Sequence, residues 1–155
     1  MHTLRKRNYH KKTTRKSYGG KSSTSLSAFE SNITCKFLEM LNTIKLYHWN
    51  TYSYATHKAT DELYASLGNN IDKFIEILLG KAQNRIRLRT KHIPVKDIVS
   101  PHDFKREIES YKSYLVGLDK NKVLTSNGMT NTDLFNIRDE ILGDLNQFLY
   151  LFTFK

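Results

Sequence analysis

Apolar residues recur every three or four positions in four separate segments of the chain, and this spacing restricts the fold more than any other sequence feature. An apolar residue at each turn of a helix forms a buried stripe, so the spacing predicts amphipathic helices at residues 29–47, 55–79, 102–118 and 132–152. The stripe residues are Ile33, Phe37, Met40, Leu41 and Ile44, then Leu63, Leu67, Ile71, Phe74 and Leu78, then Phe104, Ile108, Tyr111, Leu115 and Leu118, and finally Leu134, Ile137, Ile141, Leu145, Phe148 and Phe152. Because no segment shows the alternation typical of strands, the predicted fold class is all-α.

The connection between the second and third predicted helices, residues 80–101, is much longer than the connection between the first and second. A connection of this length is typical of a chain that crosses the full length of a helix bundle. We therefore predict a ferritin-like four-helix bundle domain at residues 28–155, with a long crossover between its second and third helices. Ser31 is a candidate N-cap of the first helix, and Gly80 is a candidate end of the second.

Residues 1–27 form a basic segment with almost no apolar side chains. Such a segment buries too little surface to offset its ordering entropy, so we expect a flexible tail. Its basic residues are Arg5, Lys6, Arg7, Lys11, Lys12, Arg15, Lys16 and Lys21. Together with Tyr9 and Tyr18 they favour DNA or another nucleic acid as partner, because basic groups bind phosphates and rings stack on exposed bases. An anionic protein, a membrane surface or a merely solubilising role are the alternatives.

The remaining composition excludes several classes of protein. The single cysteine, Cys35, permits no internal disulfide, which suits a reducing compartment. No apolar run approaches the ~20 residues that span a bilayer, and no apolar run follows the charged N-terminus as in a signal peptide. We therefore expect a protein that is not secreted and has no membrane partner, located in the cytoplasm or on nucleic acid.

Metal-type ligands are concentrated on the second predicted helix and just before it. At about 100° per residue, His57, Asp61, Asp72 and Glu76 share one stripe that points away from the apolar stripe of the same helix. The apolar residues on or beside this ligand stripe are Tyr64, Ile75 and Leu79. Apolar groups on an outward face indicate that something covers it, and a second subunit is the simplest candidate.

The length of the helix divides these ligands into two groups. His57 and Asp72 are 15 residues apart, which is about 22 Å along a helix, so one ion cannot contact both within one chain. An antiparallel pair of these helices would place His57 and Asp61 of one chain beside Asp72 and Glu76 of the other. His48, at the end of the first helix, would join His57, although taken alone it fits a core histidine bonded to a backbone carbonyl. Such mixed sites suit iron, and zinc or manganese also bind these ligands.

This pattern resembles the Dps-type miniferritins of the ferritin-like superfamily. The resemblance rests on His48-Trp49-Asn50 near the end of the first helix and on the spacing of His57, Asp61, Asp72 and Glu76. It is strongest to uncharacterised Dps-like proteins of large DNA viruses, which share an HWNT…Y…HKA…ELY signature. Two differences stand out: the interval from the first histidine to the second is about three residues shorter than in the family, and Lys58 replaces the usual glutamate.

The resemblance implies iron storage and protection against oxidative stress in a homo-oligomer. A ferroxidase centre between subunits would oxidise Fe(II), preferably with hydrogen peroxide, and ferric mineral would fill a dodecameric shell. The residues that the resemblance assigns to this centre are His48, His57 and Asp61 of one chain, Asp72 and Glu76 of its neighbour, and Trp49 as an adjacent radical quencher. The basic tail would bind DNA.

Two further interpretations follow from the same residues. The chain can be a non-enzymatic protein that condenses nucleic acid, for example in a virion, on a ferritin-like scaffold with a degenerate metal site. A simple dimeric helical adaptor is the third class. On the fourth predicted helix, Asp139, Glu140 and Asp144 either line the inner surface of a shell or form a solvated helix face.

Overall fold

A computed structural model describes residues 22–90, 92–125 and 130–154, and all regular secondary structure in these ranges is helical. The helices are α1 (Ser22–Asn50), α2 (Tyr54–Ala82), α3 (Pro101–Gly117), the single-turn α4 (Lys122–Thr125) and α5 (Thr132–Leu151), with a 3-10 turn at Leu118–Lys120. The all-α prediction is therefore confirmed. No helix in the described ranges is long and apolar enough to cross a membrane. The eight basic residues predicted to bind nucleic acid lie outside these ranges.

The first helix begins earlier than predicted, and residues 22–27, which we expected in the tail, belong to α1. Leu26 explains the extension, because it lies one turn before the buried Phe29 and continues its apolar stripe. Ser31 is therefore not an N-cap. It is buried within α1, and its hydroxyl accepts a hydrogen bond of 2.9 Å from the backbone N–H of Arg89.

The second helix has a defined cap at each end. At its start the Ser53 hydroxyl accepts a hydrogen bond of 3.3 Å from the backbone N–H of Thr56. Gly80 does not end this helix, which continues to Ala82, and Gln83 follows in the left-handed conformation at φ 51°. A residue in this conformation terminates a helix, so Gln83 takes the place of the predicted glycine stop.

Contacts between side chains show that neighbouring helices run antiparallel. The start of α1 lies against the end of α2, where Asn84 Nδ2 donates to the Glu30 carboxylate at 3.0 Å. The end of α1 lies against the start of α3, where the rings of Tyr47 and Phe104 stack at 3.7 Å. Phe104 also contacts Phe148 near the end of α5, with ring centroids 5.8 Å apart. The helices α1 and α5 therefore run in one direction, and α2 and α3 run in the opposite direction.

The connection from α2 to α3 follows α1 along its length. It starts beside the first turns of α1 at Arg89 and Ser31, and it ends near Asn50, whose Nδ2 is 3.3 Å from Asp97 Oδ1. Midway, Lys96 Nζ lies 2.6 Å from a Glu107 oxygen and 3.7 Å from Glu39 on α1. We call the end where α1 starts and α2 finishes the proximal end, and the end where α1 meets α2 the distal end.

The core lies between the four long helices and consists of the predicted stripes. Nearly every predicted stripe residue is buried, and only Leu41 and Phe152 are partly buried. Burial of each large apolar side chain contributes about 1.5–3 kcal/mol, so these stripes supply most of the driving force for packing. The packing holds α1 and α2 together at the distal end, where the candidate site begins.

Candidate metal centre

His48 and His57 meet at the distal end and hold each other through hydrogen bonds to the backbone. The Nδ1 atom of His48 lies 3.0 Å from the carbonyl oxygen of His57, and Nδ1 of His57 lies 3.1 Å from the carbonyl oxygen of His48. Because a carbonyl oxygen only accepts, each Nδ1 carries the hydrogen and donates it. In the neutral ring the lone pair then belongs to Nε2, which is the arrangement found in most histidines that bind metals.

The surroundings of His48 favour the neutral ring. His48 is 6% exposed, and its ring stacks on that of His57 with centroids 3.9 Å apart. Burial lowers the pKa of His48, and this effect is opposed in part by the hydrogen bond to the His57 carbonyl. The Thr60 hydroxyl lies 3.2 Å from Nδ1 of His48 and donates to the Thr56 carbonyl at 2.8 Å. A neutral imidazole is the form that ligates a metal ion.

The shortened connection between His48 and His57 does not keep the two side chains apart. His48 lies in the last turn of α1, and His57 lies in the first turn of α2, so only residues 51–53 intervene between the helices. The Ser53 cap starts α2 at once, which turns the backbone back and places the two turns side by side. This hydrogen-bonded corner cannot be read from residue spacing alone.

Asp61 lies beside the histidine pair and already has a cationic neighbour. Its Oδ1 atom is 3.9 Å from Nε2 of His48 and 3.6 Å from Nζ of Lys45, and its side chain is 52% exposed. The Lys45 ammonium also lies 4.7 Å from the Tyr64 ring centroid and 5.9 Å from that of Trp49. A metal ion at His48 and Asp61 would therefore compete with Lys45. Sequence reasoning missed Lys45, which lies three residues before His48 on the same helix face.

Asp72 and Glu76 lie further along α2 and are both exposed. Within the described ranges neither carboxylate makes a hydrogen bond or an ion pair. No three histidine, cysteine or acidic residues in the described part of the chain come close enough to hold one ion. We call His48, His57 and Asp61 the histidine half-site, and Asp72 with Glu76 the carboxylate half-site.

The surface around the half-sites is partly apolar. Tyr64, Ile75 and Leu79 of α2 are half-buried, as is Leu38, which lies two turns before Lys45 on α1 and so shares its helix face. Trp49, predicted beside the metal site, is 67% exposed and borders the histidine half-site through Lys45. Sequence reasoning missed Leu38 because it lies outside the main apolar stripe of α1. The sequence signal that could have identified Leu38 was its position on the same face of α1 as Lys45.

The acidic residues of α5 have partners within the chain. Asp144 accepts hydrogen bonds from Ser66 at 2.6 Å and from Asn70 at 2.9 Å, which ties α5 to α2. Glu140 lies 3.9 Å from Lys73, and Asp139 lies 2.6 Å from the buried Arg138. Two of these carboxylates thus link helices, and the exposed Asp139 and Glu140 fit the solvated-face interpretation better than a metal-binding one.

Comparison with known proteins places the chain in a family without assigning it a function. No curated protein and no solved structure matches it. Residues 48–152 match a family described as "Family of unknown function (DUF5856)". The matched segment begins at His48, contains both half-sites, and covers more than half of the chain. The chain therefore belongs to this family of unknown function.

Proposed function

We propose that this protein is a ferritin-like iron-binding protein of the Dps type, which oxidises Fe(II) at sites shared between two subunits. The observation that carries the proposal is the mutual hydrogen bonding of His48 and His57 through Nδ1, because it leaves both Nε2 atoms for a metal. Fe(II) is the substrate and hydrogen peroxide the oxidant. Each peroxide takes one electron from each of two Fe(II) ions and, with two protons, leaves as water.

The course of the chain supports the ferritin-like part of the proposal. Each of the four long helices packs antiparallel to its neighbours in space, and the connection from α2 to α3 returns along the length of α1. A crossover that spans the bundle between its second and third helices is the feature that distinguishes ferritin-like bundles from simple up-and-down bundles. The short α4 lies in the last connection and does not alter this order of the long helices.

The separation of the half-sites supports a site completed by a second subunit. About 22 Å of helix divides His57 from Asp72, and the half-buried Tyr64, Ile75 and Leu79 lie between or beside them. Antiparallel contact of two α2 helices about a two-fold axis would cover these apolar groups and join each histidine half-site to the partner's carboxylates. Histidine and carboxylate ligands with an open position suit iron.

The nucleic-acid part of the proposal assigns binding to the N-terminal segment. The eight basic residues of residues 1–21, without a single acid among them, favour contact with phosphates. A shell of several subunits would present several such segments at once and so raise the overall affinity.

The iron proposal is tested by oxidation kinetics. We expect Asp72→Ala and Glu76→Ala each to slow peroxide-driven Fe(II) oxidation by about 100-fold, since each removes a metal ligand. The matched control is Glu62→Ala, an exposed carboxylate on the same helix that lies about 40° beyond Glu76 on the side facing Asp144 of α5, and it should oxidise iron like the parent. Parental rates in both ligand variants would reject the site assignment.

A second candidate function is a nucleic-acid-condensing protein with no redox role. Two observations favour it: Lys45 already neutralises Asp61, and the described part of the chain assembles no three-ligand group. It predicts normal assembly and strong, salt-sensitive DNA binding without any consumption of Fe(II). Rapid Fe(II) oxidation by the parent protein would exclude it.

A further inference from the structure

Three arginines occupy every second position at the start of the connection from α2 to α3, at the proximal end. Arg85, Arg87 and Arg89 are all exposed and are separated by the apolar Ile86 and Leu88. We call these three arginines the arginine strip. The Arg85 guanidinium donates one hydrogen bond of 2.9 Å to the neighbouring Asn84 carbonyl. Within the described ranges, Arg87 makes no hydrogen bond or ion pair.

The acidic residues near the proximal end are already engaged elsewhere. Glu30 is buried and accepts both of its hydrogen bonds from Asn84. Asp133 pairs with Lys81, and Asp119 lies 2.8 Å from Arg138. These carboxylates therefore do not pair with Arg85 or Arg87, and the side chains of the strip are exposed to solvent.

The same end carries the junction with the basic N-terminal segment. Because α1 starts at Ser22 and the backbone N–H of Arg89 bonds to Ser31, the strip lies within about 14 Å of that start along the helix axis. A polyanion held by residues 1–21 would thus reach the strip without crossing the rest of the surface. The exposed Lys120 and Lys122 lie in the connection that follows α3, at this same end.

We propose that the arginine strip is a second nucleic-acid contact, which binds phosphates of the same molecule that the N-terminal segment holds. A guanidinium group presents a planar pair of N–H donors that matches two phosphate oxygens, so arginine binds phosphate with geometry as well as charge. A membrane surface fits the strip less well, because Ile86 is half-buried, Leu88 is 41% exposed, and the described residues 85–90 do not form an amphipathic helix. The choice of nucleic acid rests on the proposed function.

The experiment measures binding of the full-length protein to a labelled DNA duplex over a range of salt concentrations. Each phosphate contact adds about 0.9 to the slope of log affinity against log salt, so Arg85→Gln/Arg87→Gln should reduce that slope by about 2. Arg85→Lys/Arg87→Lys keeps the charge and should keep the slope. The matched control, Lys58→Gln/Lys105→Gln, removes the same charge from exposed positions at the distal end and should behave like the parent.

The outcomes separate this inference from the proposed function. A parental slope in Arg85→Gln/Arg87→Gln, or an equal loss in the distal control, would overturn the strip. So would a strip variant that keeps its DNA slope but loses binding to phosphatidylserine vesicles. Arg5→Gln/Lys6→Gln/Arg7→Gln tests the N-terminal assignment by itself: if that variant binds DNA like the parent, the tail proposal fails, while the slope of Arg85→Gln/Arg87→Gln still decides whether the strip contacts phosphates. Unchanged melting temperatures show that each variant is folded.

Discussion

The two half-sites share helix α2, with His48 of α1 added to the first, but they differ in how the chain holds them. In the histidine half-site, His48 is buried, and both rings are tied to the backbone by hydrogen bonds. In the carboxylate half-site, Asp72 and Glu76 are exposed and have no hydrogen bond or ion pair within the described ranges. Folding of one chain therefore orders the two histidines, whereas in the proposed assembly the carboxylates would acquire their geometry only with a metal and a second subunit.

This difference predicts that metal binding depends on assembly. A ligand group that is already ordered loses little entropy on binding, so under the proposed function the histidine half-site would provide the anchor for the metal. In the proposed shared site the carboxylates would supply negative charge from the other subunit, and binding of metal to the complete site would stabilise the pair of subunits. Metal affinity should consequently rise with protein concentration through the range in which subunits associate.

Substitutions in the two half-sites should differ most in their effect on the free energy of unfolding. His48→Ala removes a buried ring and its hydrogen bond to the His57 carbonyl, so we expect a loss of about 2–4 kcal/mol. Asp72→Ala should change stability by less than about 0.5 kcal/mol, because the side chain is exposed and unpaired within the described ranges. Urea unfolding of the metal-free protein measures both, and similar losses in the two variants would remove the distinction between the half-sites.

A smaller effect concerns the cation that already accompanies Asp61. Lys45→Met removes a positive charge 3.6 Å from that carboxylate, and we expect metal affinity to rise about tenfold, since such a charge opposes a metal ion by roughly 1 kcal/mol or more. Zn²⁺ titration by calorimetry gives the affinity without redox chemistry. Lys58→Met is the control, because Lys58 is exposed on α2 and has no ion pair in the described residues. An affinity that falls in Lys45→Met would show that Lys45 supports the site.

The smallest effect is the pH dependence of the metal-free protein. Burial lowers the pKa of His48 below its ordinary 6.5, so the unfolded chain takes up a proton more readily than the folded chain. The stability contributed by neutral His48 is therefore present above that ordinary value and is lost as pH falls through the lower, folded-state pKa. Unfolding midpoints between pH 7.5 and about 5 test this, with His48→Gln as reference. An equal pH dependence in parent and variant would contradict it.

The helical stripes could be predicted because helix periodicity is a local property of sequence. Residues such as Leu67, Phe74 and Leu145 repeat at the spacing that one buried face requires, and all are buried. The helix ends were less predictable. Leu26 extends α1 and lines a cavity together with Leu78 and Leu124. The second helix continues past Gly80, and Lys81 beyond it pairs with Asp133 at the start of α5. These outcomes depend on residues far away in the sequence.

The candidate site was predictable as a set of ligand types but not as a geometry. A rotation of about 100° per residue predicts that His57 and the acidic residues share one face of α2. The helix rise per residue predicts the distance between the two half-sites. The reciprocal bonds of His48 and His57 depend on backbone carbonyls, which no residue pattern records. The position of Lys45 beside Asp61 depends on how α1 packs against α2, a contact that sequence spacing along either helix does not specify.

Complementation between two inactive variants tests the shared site most directly. His57→Ala removes one ligand of the histidine half-site and Glu76→Ala one ligand of the carboxylate half-site, so a mixed dimer retains one complete site. When equal amounts are refolded together, half of the dimers are mixed, and we predict about a quarter of the parental rate of Fe(II) oxidation. Each variant refolded alone should oxidise Fe(II) about 100-fold more slowly than the parent. A co-refolded sample as inactive as its components, although native mass spectrometry shows mixed oligomers, would contradict a site shared between subunits.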